Sequence, residues 1–176
     1  YHNINNESDW SIALVETGEN AQTGARIWNA KKYLQDCDFF SITYGDGVAD
    51  IDIVTLIKTH KKSGLLGTIT AVHPSGRFGE MEISDNIVSE FNEKPNVSAG
   101  FVNGGFMMFN KKTIDMYFRP GEDLVLESEV LSKMVRDRQL GVYKHDGFWQ
   151  CVDTSREHGV LNAMWDENRA PWKVWK

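Results

Sequence analysis

Phe39-Phe40-Ser41-Ile42-Thr43-Tyr44-Gly45-Asp46-Gly47 is the stretch whose reading decides the fold. Its aromatic and β-branched run suits a buried, pleated strand, and the glycines stop it abruptly. An aspartate is thereby delivered to a strand end. Downstream, Ile51, Val54, Leu56, Ile57 and His60 continue as a helix, closed by Gly64 near basic Lys61 and Lys62. Upstream, Trp10 to Val15 reads as a strand ending in Glu16-Thr17-Gly18, and Ala25 to Leu34 as an amphipathic helix bearing Ile27, Trp28, Ala30 and Leu34. Strand, turn and helix thus occur twice before Leu66.

The alternation continues to the end of the chain. Leu66 to Val72 reads as a strand, and Phe78 to Ile83 and Ile87 to Phe91 flank Asp85-Asn86 as a hairpin. Phe101 to Phe109 is a strand interrupted at Gly104-Gly105, where a bulge or a close ligand is expected. Lys111 to Phe118 and Leu126 to Arg138 read as helices, Leu140 to His145 and Phe148 to Val152 as strands. Ser155 to Trp165 is a terminal helix capped by Thr154 or Ser155. Such an order predicts a three-layer α/β sandwich with a mixed sheet, its crevice at the carboxyl ends of the strands.

Composition bounds the partners. The 176 residues, 41% hydrophobic with four prolines and no repeat, form one domain spanning 1–176. A formal charge of -6, with Lys31-Lys32, Lys61-Lys62 and Lys111-Lys112 set far apart, argues against nucleic acid. No apolar stretch approaches the roughly 20 residues that span a bilayer. Cys37 and Cys151 lack CxxC spacing, so neither a disulfide framework nor a zinc site is expected and a reducing cytoplasm is the expected location.

Several residue groups could carry chemistry, each with a plainer alternative. Asp46, between Gly45 and Gly47, suits Mg²⁺, which takes one or two carboxylates and completes its shell with water and phosphate; the plainer alternative is a turn aspartate that caps the helix starting near Asp50. Asp153 follows a strand and precedes a helix, so it is either a second ligand or a helix cap. Glu93-Lys94-Pro95 places a carboxylate and an ammonium before a rigid turn, suited to sugar hydroxyls and a sugar phosphate or simply exposed. Asn103-Gly104-Gly105-Phe106 sets an amide beside bare backbone, and Arg26 sits at a helix start where it could meet a triphosphate. His73, His145 and His158 lack metal-ligand spacing and are expected to be structural or at the surface.

In order, Thr43-Tyr44-Gly45-Asp46-Gly47-Val48-Ala49-Asp50, Arg77-Phe78-Gly79, Glu93-Lys94-Pro95, Asn103-Gly104-Gly105-Phe106, Gly147-Phe148-Trp149-Gln150, Asp153-Thr154 and Ala170-Pro171-Trp172-Lys173 resemble the pattern of glucose-1-phosphate cytidylyltransferases. The resemblance runs from about Trp10 to the end and implies the nucleotide-diphospho-sugar transferase (Rossmann-like) fold. It implies a cytidylyl transfer from CTP to glucose 1-phosphate, giving CDP-glucose and pyrophosphate for deoxysugar and O-antigen type precursors. Asp46 and Asp153 would hold Mg²⁺, and Gly45 and Arg26 would meet the nucleotide. Glu93, Lys94, Asn103 and Gly104 would surround the sugar phosphate, with Phe148, Trp149 and Gln150 as the adjoining wall. The family's Thr-Gly-Gly-Arg element reads Thr23-Gly24-Ala25-Arg26 here, adding a methyl. The family's Gly-Thr-Arg loop and the lysine after it are not in this sequence, which begins at Tyr1; the fold is therefore expected to be N-terminally truncated and the segment alone inactive. The resemblance also implies a homo-oligomer. A uridylyl- or thymidylyltransferase, a non-catalytic nucleotide-sugar-binding module and a domain whose motifs are only turns are the alternatives.

Overall fold

A computed structural model describes residues 11–34, 36–74, 80–84, 87–92 and 100–175, the strands within 80–92 by their backbone. Its elements are α1 (Thr23–Ala30, extended by a 3₁₀ turn at Lys31–Leu34), β1 (Phe39–Ile42), β2 (Gly47–Ala49), α2 (Ile53–Ser63) and β3 (Gly67–Val72). Then come β4 (Glu80–Ser84), β5 (Ile87–Asn92), β6 (Val102–Asn110) and α3 (Lys112–Tyr117). A π-helical turn at Leu126–Leu131 runs into α4 (Ser132–Arg136), followed by β7 (Leu140–His145), β8 (Trp149–Cys151) and α5 (Ser155–Asp166).

The main sheet is mixed, in the order β1-β6-β3-β7, with β6 antiparallel to both neighbours and β3 parallel to β7. It follows that β1, β3 and β7 run the same way and end on one edge. Side chains alternate across β6 as a pleated strand requires. Met107 and Phe109 join Phe40, Ala25, Leu126, Val130 and Met134 in the core on one face. On the other face α2 packs on β3 and β7, burying Leu56, His60, Thr68, Thr70 and Val72. Helices on both faces of a mixed sheet make the three layers expected.

On the α2 face buried His60 and Thr68 pair with each other, whereas the buried Thr70 hydroxyl finds no partner among the described residues. His60 Nδ1 lies 2.9 Å from Thr68 Oγ1, and burial holds the imidazole pKa below its ordinary value. The unfolded chain therefore binds a proton that the folded one rejects. Stability is full above about pH 6.5 and falls as pH drops from there toward the depressed folded value. Denaturant titrations should show His60→Gln losing one proton's share of that slope, up to about 1.4 kcal/mol per pH unit.

Two expectations are corrected. Residues 11–17 form no strand: Ile12 and Leu14 are exposed, because an apolar run becomes a strand only where an edge pairs its backbone, and none does among the described residues. Trp10, Arg77-Phe78-Gly79 and the Asp85-Asn86 turn lie outside the described residues. The helix expected over Leu126–Arg138 opens with the wider π turn. The short strand β2, just after Asp46, was not anticipated; three residues carry too little periodicity to signal one.

Candidate active site

The second, two-stranded sheet builds the site. β2 pairs antiparallel with β8, placing Gly47 opposite Cys151 and Ala49 opposite Trp149. Two further backbone bonds extend the ladder: Val152 N–H donates to the Asp46 carbonyl (2.8 Å) and Asp50 N–H to that of Phe148 (3.2 Å). Asp46 and Asp153, 107 positions apart, are thus brought to one end of one ladder. The ladder is fastened to the main sheet where Trp149 Nε1 donates to the Gly104 carbonyl at 2.8 Å. Phe148 stacks on Trp172, ring centroids 5.4 Å apart, which explains why the terminal Ala-Pro-Trp-Lys segment folds back here.

Neither aspartate is a helix cap. α2 is capped by Asp52, whose carboxylate accepts from Thr55 N–H at 3.0 Å. α5 is capped by Thr154 in a capping box with Glu157, whose Oε2 also accepts from Asp153 N–H. Both side chains are exposed. Asp153 Oδ2 lies 3.4 Å from Cys151 Sγ, and Cys151, Asp153 and Glu157 offer ligand atoms within 4.8 Å of one another. Asp46 stands outside that cluster. Glu157 is committed to its capping bonds.

The glycines divide by cause. Among the described residues a Cβ on Gly45 would meet nothing within 4 Å, and the position is exposed. Packing of the protein does not demand a glycine there. Gly104 is demanded by packing, since a Cβ would come within 2.7 Å of Val72 Cγ1. Gly105 has φ +80 and its Cβ would stand 2.7 Å from Tyr44 Cδ2. The glycine pair forms the expected bulge: Ile69 pairs with Met107 but Ala71 with Asn103, so β6 carries extra residues. Gly105→Ala should cost about 2 kcal/mol through strain and the Tyr44 clash, read as a lower denaturant midpoint with unchanged slope.

Asn103 is exposed and its Oδ1 accepts from Gly105 N–H at 2.9 Å, which fixes which way its amide faces. Arg26 is turned back on its own loop, donating to Thr17 Oγ1 (3.0 Å) and the Glu19 carbonyl (3.2 Å). The methyl of Ala25 is buried in the core, so the departure from Thr-Gly-Gly-Arg points inward. Glu93 and Lys94 lie outside the described residues. His145 is structural as expected, buried with Nε2 at 2.9 Å from Asp50 Oδ1.

Sequence reasoning missed Glu127. It lies in the π turn, and its carboxylate accepts from the Tyr44 and Thr23 hydroxyls. Burial, then the Glu127 carboxylate, pushes the Tyr44 phenol well above its ordinary value. Nothing in Leu126-Glu127-Ser128-Glu129 distinguishes the first glutamate from an exposed helical one. A surface groove of about 350 Å³ between α3 and α4, lined by Tyr117, Arg119, Lys133 and Arg136 among others, contains no candidate residue.

The architecture is that of a nucleotide-diphospho-sugar transferase fold. It matches HddC from Yersinia pseudotuberculosis with a TM-score of 0.61 over 86% of this chain and 65% of that one, at 20% identity, a likeness that speaks to the fold. The chain belongs to the nucleotidyl transferase family, whose model matches residues 2–170. It is 39% identical over 167 residues, 95% of its length, to a glucose-1-phosphate cytidylyltransferase of Salmonella typhi. It is also 28% identical to a mannose-1-phosphate guanyltransferase of Schizosaccharomyces pombe over 86% of this chain and 44% of that protein. A UTP–glucose-1-phosphate uridylyltransferase of Synechocystis is 29% identical over 72% of this chain and 34% of that protein. The chain spans 64% of the length of the Salmonella relatives. Among the described residues, no helix is long and apolar enough to cross a membrane.

Proposed function

We propose that this chain serves the transfer of a cytidylyl group from CTP to glucose 1-phosphate, giving CDP-glucose and pyrophosphate. The observation that carries the reading is the β2–β8 ladder, which brings the backbones of Asp46 and Asp153 to one end of one ladder beside Gly45. The donor set suits Mg²⁺: two exposed carboxylates on a rigid ladder leave room for water and phosphate oxygens, and the thiol of Cys151 is too soft to compete for it. When bound, the ion neutralises phosphate charge as it develops. Asp46 and Asp153 hold it, and the open space over Gly45 lets phosphate or ribose approach the backbone.

In the reaction a phosphate oxygen of the sugar phosphate attacks the α-phosphorus of CTP in line. The bond from that phosphorus to the oxygen bridging it to the β-phosphate breaks, and pyrophosphate departs. No protein nucleophile is needed, so rate depends on positioning and charge. The Asn103 amide, oriented by Gly105, offers its N–H groups to a hydroxyl, and the resemblance assigns Glu93 and Lys94 to sugar hydroxyls and sugar phosphate. Arg26 reaches the nucleotide by exchanging its bonds to Thr17 and Glu19. We place the reaction in the cytoplasm, carried out by a homo-oligomer.

Pyrophosphate release by the complete gene product, with glucose 1-phosphate and each of CTP, UTP, dTTP and GTP, tests the base. CTP is expected to give a kcat/KM at least about tenfold above the others, a difference of about 1.4 kcal/mol. A preference for UTP or dTTP would replace the cytidylyl assignment, and no turnover with any of them would favour a binding module.

A further inference from the structure

We infer that Glu127 is a positioning residue, clasping the Asp46 turn to the start of α1 through the hydroxyls of Tyr44 and Thr23. The clasp rests on the reading above, since it fixes the metal carboxylate relative to the helix that presents Arg26. Three segments far apart in sequence meet on one carboxylate. Oε1 accepts from the Tyr44 hydroxyl, two residues before Asp46, and Oε2 accepts from Thr23 Oγ1 at 2.8 Å, three residues before Arg26. Thr23 Oγ1 in turn accepts from Leu126 N–H at 3.0 Å, so the hydroxyl is engaged on both sides.

An ionised carboxylate only accepts hydrogen bonds, and this fixes the direction of the network. The Tyr44 proton points to Glu127. Asn103 Oδ1 is meanwhile held by Gly105 N–H. One chain of bonds therefore runs from α1 through Glu127 to Tyr44, two residues before Asp46. The Tyr44 ring is seated against Gly105, where no side chain could stand. The first turn of the helix is π, a geometry that recurs at functional sites, and it sets Glu127 facing this junction while Leu126 and Val130 stay in the core. α1 is docked on the same segment: Ala25 N–H donates to the Leu124 carbonyl at 3.0 Å, and a Cβ on Gly24 would collide with Leu124.

The test compares Tyr44→Phe, Thr23→Val, their double and Thr23→Ser in the complete gene product. A displacement of about 1 Å can cost about 10²-fold in rate. Each single variant should lower kcat about 10- to 100-fold with KM for glucose 1-phosphate within about twofold, and the double should be no slower than the worse single, because either loss opens the clasp. Thr23→Ser, which keeps the hydroxyl, should restore kcat to within about threefold. Wild-type rates in the singles, or losses that multiply in the double, would overturn the clasp. Amide exchange judges it independently of activity: Tyr44→Phe should speed exchange at Leu126 and Ala25 about tenfold or more. Unchanged exchange there overturns the clasp even if the wild type is active. A wild type inactive on every nucleotide, with exchange altered as expected, instead rejects the assigned reaction and leaves the clasp standing.

Discussion

Asp46→Ala in the complete gene product, assayed with CTP, glucose 1-phosphate and Mg²⁺, is expected to lower kcat about 10³-fold, or about 4 kcal/mol of transition-state stabilisation. The size follows from the role. A metal carboxylate acts on charge that develops only as the phosphorus–oxygen bonds change, so its loss falls on kcat rather than on sugar binding. The variant should fold, because Asp46 joins the ladder through its backbone carbonyl and its side chain is exposed. Asp153→Ala should behave likewise, since the α5 cap is made by Thr154 and Glu157 and survives its removal. A thermal unfolding curve matching the wild type, beside the lost turnover, separates the chemical effect from a structural one.

Phe109→Ala has the largest expected effect on stability, about 3–5 kcal/mol. Its ring is fully buried at the centre of the sheet, 5.7 Å from Phe40 between centroids, and lies against Gly67, where a Cβ would stand 3.0 Å from it. β6 is flanked by β1 and β3, so the residues around the vacated space are held by ladders on both sides and cannot collapse into it. For a domain of ordinary stability, about 5–15 kcal/mol, that is between about a fifth and the whole of the total. Urea unfolding should show the midpoint falling with the slope unchanged. Val142→Ala, at a half-exposed position on β7, should stay within about 0.5 kcal/mol.

Much of the fold was legible because periodicity carried it. Phe39 to Tyr44, Leu66 to Val72 and Phe101 to Phe109 are long enough for a pleat to register, and Gly104-Gly105 announced its bulge. Residues 11–17 were misleading for a physical reason: an apolar run reports its own preference, whereas a strand needs a paired edge. β2 was invisible because its pattern is three residues long, yet it is what brings Asp46 to Asp153. Residue type and glycine flanks marked Asp46 as a candidate, and its place between a strand and a helix marked Asp153; only the ladder shows that both lie at one end of one small sheet. Glu127 left no trace, since its environment is made by Tyr44 and Thr23, which lie 83 and 104 positions away. Gly104 shows the reverse case, a residue with a functional look whose bareness Val72 already explains.

The claim on which the rest depends is that Asp46 and Asp153 hold one divalent ion between them. Mn²⁺, a spectroscopic stand-in for Mg²⁺, can be titrated into the complete gene product with CTP present and followed by water-proton relaxation. Asp46→Asn and Asp153→Asn should each weaken binding about tenfold or more, because each removes a charged oxygen from a hard-cation site. Their double should bind no more tightly than either single. Wild-type affinity in both single variants would contradict a shared site.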